Sequence, residues 1–260
     1  MDVLYWSALV ATGLAAGLIN TLASSGSAVS LPVLVMLNIP EVAANATNRL
    51  PVLIGGMMAT WSFHRERQVD WHASARLLPP AIAGSLIGAL AAEHVDDRRM
   101  GLLITGAVLI ALLMLFTKVK QALSQIQQRP PQVKPFALFL MFLIGLWLGF
   151  MVLDGATYVL LVLMLGCHYA LPQANALKAL ILVVTTIVPV AMFSAAGDIL
   201  WTEGAVMSVG SIAGAHLGAR FSNHVRAREW IFRLLVAVIL LELGHLAWHY
   251  TAPLRAGLAS

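Results

Sequence analysis

The sequence predicts an all-α integral membrane protein with two inverted repeats of about five membrane segments, each holding a broken or re-entrant helical hairpin. Three observations predict it. Of 260 residues, 60% are hydrophobic and only 11% charged, against roughly 25% charged in a soluble domain. Apolar runs near the roughly 20 residues that cross a bilayer recur along the whole length. The stretch Ala16 to Pro51 and a weaker copy, Leu148 to Ala179, both interrupt apolar sequence with small polar residues. Interrupted segments at matching places in two halves point to a binding site between repeats.

Apolar segments fall at 3–19, 28–38, 43–63, 72–92, 100–117, 135–153, 155–166, 172–195, 202–220 and 229–250. Eight are long enough to cross a membrane. The first, starting MDVLYWSALV, lacks the basic flank of a signal peptide and is expected to be retained as a membrane helix. Segments 28–38 and 155–166 are too short: about 11 residues rise about 17 Å against an apolar core of about 30 Å. Each reads as the returning half of a hairpin that dips into the protein. The irregular stretch from Asn20 to Ser27 fits such a site, because bare backbone at membrane depth needs protein or a wet cavity around it.

The expected domains are a first membrane repeat at 1–117, a cytoplasmic linker at 118–134 with the Pro130-Pro131 pair, and a second repeat at 135–260. The halves align at an offset of about 130 residues, which sets Arg49 on Lys178 and Trp71 on Trp201, and brings Gly84 and Gly88 onto Gly214 and Gly218. Loop charges give the orientation. Lys118, Lys120, Arg129 and Lys134 in the linker, and Arg220, Arg226 and Arg228 in a second loop, place both on the cytoplasmic side. Equivalent loops then lie on opposite faces, so the repeats are inverted and both termini are non-cytoplasmic. Arg98 and Arg99, on the opposite side, run against the rule.

Arg49 and Lys178 are the sharpest candidate site residues. Each lies about seven residues, or about 10 Å, inside its apolar segment. An intramembrane cation near a helix N-terminus suits an anion; the competing reading is a side chain that snorkels to its own interface. Asn20, Ser25 and Gly26 in the first break offer an amide, a hydroxyl and exposed backbone donors, as do their neighbours Thr21, Ser24, Ser27 and Ser30. Asp154 in the second break either carries a coupling proton or pairs with Lys178. Glu242, His245 and His249 share a face of the last segment, but a metal site of that type needs a second such helix and the sequence has none. The glycine pairs 13/17, 84/88, 145/149 and 214/218 are spaced for close helix packing. Trp6, Trp61, Trp71, Trp201 and Trp248 fall near segment ends, as an aromatic belt would place them.

The small-residue break after Ala16-Gly17, then Leu31-Pro32, Ala46-Thr47-Asn48-Arg49, Val69-Asp70-Trp71 and Gly214 to Arg220 together resemble the TauE/SafE-type sulfite exporters. The resemblance covers nearly the whole chain. It implies a permease for sulfite or for organosulfur anions such as sulfonates, with Thr47, Asn48 and Arg49 matching the motif of the first half. In the second half only Lys178 matches, after Ala176 and Leu177. The breaks depart from the glycine runs usual in that family. They read Ser24-Ser25-Gly26-Ser27 and Asp154-Gly155-Ala156-Thr157, which bears on the substrate more than on the fold.

The expected function is therefore a secondary transporter of a small anion across the cytoplasmic membrane by alternating access. Its site combines Arg49, Lys178, Asn48, Thr47, Asn20, Ser25, Gly26 and Asp154. Two rivals stand beside it: an anion channel, and a membrane-embedded enzyme or assembly factor built on Glu242 and His245, with His216 as partner. The expected partners are the anion and the lipid bilayer. The net charge of +4 sits in short loops and does not call for nucleic acid. Homo-oligomerisation is left open, no cofactor or metal is expected, and the single Cys167 excludes an internal disulfide.

Overall fold

A computed structural model describes residues 3–24, 26–96, 98–103, 106, 130–153 and 155–221. The described residues form helices and connecting loops, without strands. In the first half these are α1 (Val3–Ala23), α2 (Ser27–Met36), α3 (Glu41–Thr47), α4 (Arg49–Arg65) and α5 (Trp71–Ala92). The second half has α6 (Pro135–Phe150), α7 (Gly155–Leu161), a π-helical turn (Val162–Gly166), α8 (Leu171–Ala196) and α9 (Trp201–Phe221). The segment at 229–250 and most of 100–117 lie outside the described residues, as do linker residues 118–129.

Three of these helices are long and apolar enough to cross a membrane: Val3–Leu22, Trp71–Ala92 and Leu171–Ala196. The segments expected to be short are short, with ten residues in α2 and a spent π turn closing α7. The segment expected to run unbroken over 43–63 is divided at Asn48. Pro51 explains the division, since its ring has no N–H to give and crowds the carbonyl four residues back, that of Thr47. A second proline is compensated instead. Pro189 leaves the Thr185 carbonyl of α8 without its helical donor, and the Ser85 hydroxyl of α5 supplies one at 2.6 Å.

The helices lie in the order α1, α9, α4, α8, α5, α6, each packed on the next. Replacing every helix by its counterpart about 130 residues away reverses that order and leaves it unchanged. The two outermost contacts are made through glycine. A Cβ on Gly17 would lie 2.4 Å from the Ser211 carbonyl oxygen of α9, and one on Gly145 would lie 2.1 Å from that of Ala81 in α5. No side chain fits there. The expected role of the glycine pairs, close helix approach, is thus the one they have.

The outer surface is apolar. Leu86, Ile87, Phe136, Phe139, Ile187 and Val209 are all exposed, as are Trp61, Trp71 and Trp201 at helix ends. So many exposed large apolar side chains do not suit water. They suit lipid.

One junction outside the apolar layer is held by a titratable pair. Asp70 caps α5, accepting the Ala73 N–H at 2.9 Å, and its other oxygen accepts the Tyr169 hydroxyl from the loop before α8 at 2.8 Å. Burial alone would raise the Asp70 pKa. The Ala73 amide, the Tyr169 hydroxyl and His72 outweigh it and hold the carboxyl below its usual range. Burial and Asp70 together raise the Tyr169 phenol. A carboxyl with a depressed folded pKa stabilises the fold above its unfolded value, and that stabilisation is lost as pH falls through the folded one. Asp70→Asn should accordingly flatten the acid limb of the melting temperature plotted against pH in lipid nanodiscs. An unchanged acid limb would assign acid sensitivity to other carboxylates.

Candidate functional site

The first break is a sharp end to α1. Ser24 adopts a left-handed conformation at φ 66°, and Gly26 follows. A Cβ at Gly26 would lie 2.2 Å from the Ala16 carbonyl oxygen, so only glycine lets the chain fold back against α1. Helix α2 then starts with no side-chain cap. The Val29 and Ser30 N–H groups at its start donate to the Gly26 carbonyl, at 3.1 and 3.2 Å. The second break reaches the first here, since the Thr157 hydroxyl of α7 donates to the Ser24 carbonyl at 3.2 Å.

Lys178 is buried in α8 and crosses to this end of α1. Its Nζ contacts the carbonyls of Asn20 at 2.9 Å and Thr21 at 3.3 Å, the Ser24 hydroxyl at 2.9 Å, and Asn175 Oδ1 at 3.0 Å. Arg49, the first residue of α4 and fully buried, does the same at the end of α6. Its Nη1 donates to the Leu148 carbonyl at 2.9 Å, and its Nη2 to those of Gly149 at 2.7 Å and Phe150 at 3.1 Å. The guanidinium also lies 4.9 Å from the centre of the Phe193 ring. Asn45 adds a bond to Phe150 O at 3.1 Å.

Each cation therefore closes the carbonyl end of the first helix in the opposite half. A positive charge is favourable there because the unpaired carbonyls carry the negative end of the helix dipole. Neither side chain snorkels. The ammonium has three hydrogens and four oxygen acceptors, so its hydrogens are already committed within the protein. No carboxylate among the described residues neutralises either cation; the ion pair found among them joins Arg99 and Asp96 at 3.5 Å.

A cleft opens beside Lys178. Asn20, Thr21, Gly26, Ser27 and Asn48 form its polar end with the ammonium. The Ser30 hydroxyl donates to Asn48 Oδ1 at 2.5 Å, a length proper to O–H···O rather than N–H···O. Asn48 Nδ2 is left buried and without a partner at the cleft wall. Of the expected site residues, the structure thus gathers Lys178, Asn20, Gly26 and Asn48. Arg49 lies at the α6 end and not on the cleft. Thr47 is buried with its hydroxyl accepting the Leu200 N–H at 3.0 Å. Ser25 and Asp154 lie outside the described residues, as do Glu242, His245 and His249.

Sequence reading missed Asn175 as a companion to Lys178. Its counterpart Asn45 stands at the same offset of about 130 residues and serves Arg49's helix end, so the repeat itself carried the signal.

A lipid-facing helical body with broken helices around a buried cation and an open cleft has the build of a membrane transporter. A family model described as Sulfite exporter TauE/SafE matches residues 9–245. The chain belongs to that family, which makes it a membrane transporter and not an enzyme. It is 29% identical over 219 residues to a probable membrane transporter protein of Haemophilus influenzae, covering 82% of this chain and 83% of that one. The probable membrane transporter protein YfcA of Escherichia coli is 26% identical over 220 residues, covering 85% and 80%. A probable membrane transporter protein ORF9 of Sinorhizobium is 26% identical over 242 residues, covering 92% and 91%. No solved structure matches the chain significantly.

Proposed function

We propose that this chain is a multi-pass secondary transporter of the cytoplasmic membrane that moves a small anion, with sulfite or an organosulfur anion such as a sulfonate as the substrate class. The observation that carries the reading is Lys178. A buried ammonium at the wall of a cleft is surrounded by neutral oxygens, with no carboxylate beside it among the described residues. Burying such a charge is costly unless something compensates it. A bound anion would. Asn48 Nδ2, buried without a partner at the cleft wall, gives that anion a hydrogen bond that the committed ammonium does not.

The helix order, the same from either end, supports two inverted repeats divided at the 118–134 linker. Rocking of α1, α9 and α4 against α8, α5 and α6 would then expose the cleft alternately to each side. The test is flux of sulfur-labelled sulfite, and of methanesulfonate, into liposomes carrying the purified protein. Saturable uptake, faster when the same anion is preloaded inside, is the expected result. Unsaturable flux indifferent to preloading would replace the carrier with a channel.

A further inference from the structure

Resting on the anion reading of the Lys178 cleft, we infer that Ser30 is the positioning residue that makes Asn48 an anion donor. Its hydroxyl holds the Asn48 carboxamide oxygen away from the cleft, so that Nδ2 faces what the cleft holds. Ser30 is fully buried in α2 and does not itself line the cleft. Its single hydroxyl hydrogen has two oxygens in reach. The Gly26 carbonyl lies 3.4 Å away and already accepts the Val29 and Ser30 N–H groups, at 3.1 and 3.2 Å. Asn48 Oδ1 is nearer, at 2.5 Å, and takes the hydrogen. With the oxygen so held, the amide has only Nδ2 to offer elsewhere, and Nδ2 is the atom left buried without a partner.

Without that bond the amide would turn over. Asn48 shares the cleft with the Lys178 ammonium, and a positive charge attracts the oxygen end of an amide dipole. Oδ1 would then face the cleft, compete with the anion for the field of the ammonium and repel it at close range. The Ser30 hydroxyl keeps the protein's own oxygen out of the anion's place.

The fold does not ask for this pair. The same offset that sets Asn45 on Asn175 sets Ser30 on Leu160 of α7. Leu160 is buried as well. The other half thus builds its equivalent short helix with an apolar side chain at that place, and packing alone gives no reason for a serine.

The test compares Ser30→Thr with Ser30→Val, which share a shape and differ in the hydroxyl. Binding of sulfite and of methanesulfonate to the protein in lipid nanodiscs is measured by calorimetry, with empty discs subtracted. Ser30→Thr should stay within about twofold of wild type, and Ser30→Val should bind about three- to tenfold more weakly, the range set by one hydrogen bond. Ser30→Ala, which adds no bulk, should match Ser30→Val. In an Asn48→Leu background Ser30→Thr and Ser30→Val should bind alike, since the hydroxyl then has no amide to hold. Wild-type affinity in Ser30→Ala, or equal affinities in Ser30→Thr and Ser30→Val, would overturn the inference and leave the anion reading standing. A difference between Ser30→Thr and Ser30→Val that persists in Asn48→Leu would make Ser30 a direct contact and overturn it too. Absence of binding by both anions in the wild type would overturn the inference and the anion reading together.

Discussion

Lys178→Met should lose anion flux by about 10- to 100-fold and also lower the melting temperature, through the acceptors it leaves at the end of α1. That loss of flux corresponds to about 1.4–2.8 kcal/mol of attraction between the buried positive charge and the anion, with no direct hydrogen bond between them. Methionine keeps the length and apolar stem of the side chain, so the α8 backbone has little reason to move. What disappears is the positive charge at the cleft and the tie to the Asn20 and Thr21 carbonyls. The measurement is initial uptake into liposomes at matched protein content, with size-exclusion profiles compared. Flux within twofold of wild type would remove Lys178 from the transport path.

Arg49→Met should act through stability alone, since Arg49 lies off the cleft. The Leu148 and Gly149 carbonyls at the end of α6 lose their donor at once, Phe150 keeps only Asn45, and the guanidinium's contact with Phe193 goes too. Buried acceptors left unpaired cost about 1–3 kcal/mol each, so a loss on the order of 3–5 kcal/mol is expected after partial relaxation. Arg49→Lys should recover only part of it, since a single ammonium cannot span three carbonyls with a guanidinium's fixed fork. Thermal unfolding of the three proteins in nanodiscs tests this. A wild-type melting temperature for Arg49→Met would mean that the α6 end is satisfied by other groups.

These two cations show what could and could not be read from the chain. Their depth, their matching positions and their kinship with a known motif were all visible in the sequence, because membrane cost makes a buried cation conspicuous. Their orientation was not. Whether a long side chain turns to a ligand or to a helix end depends on where α1 and α6 stop, and those ends are tertiary facts. The short helices were legible because length is countable. The division at Asn48 was legible only in principle, through Pro51, since hydropathy runs across it unbroken. Thr47 illustrates the remaining limit. A motif residue and a loop amide that share a hydrogen bond across 153 positions look unrelated in sequence.

The crossed closure of the two helix ends also has a consequence for biosynthesis. When the first half leaves the ribosome, α1 has an open carbonyl end whose partner, Lys178, has not yet been translated. That end waits for more than half of the chain. Arg49 waits too, since its acceptors at Leu148, Gly149 and Phe150 come about a hundred residues later. Neither half can finish itself. A chain cut within 118–129 and made as two pieces should therefore mature only when both pieces are inserted in the same membrane, each as the other's chaperone.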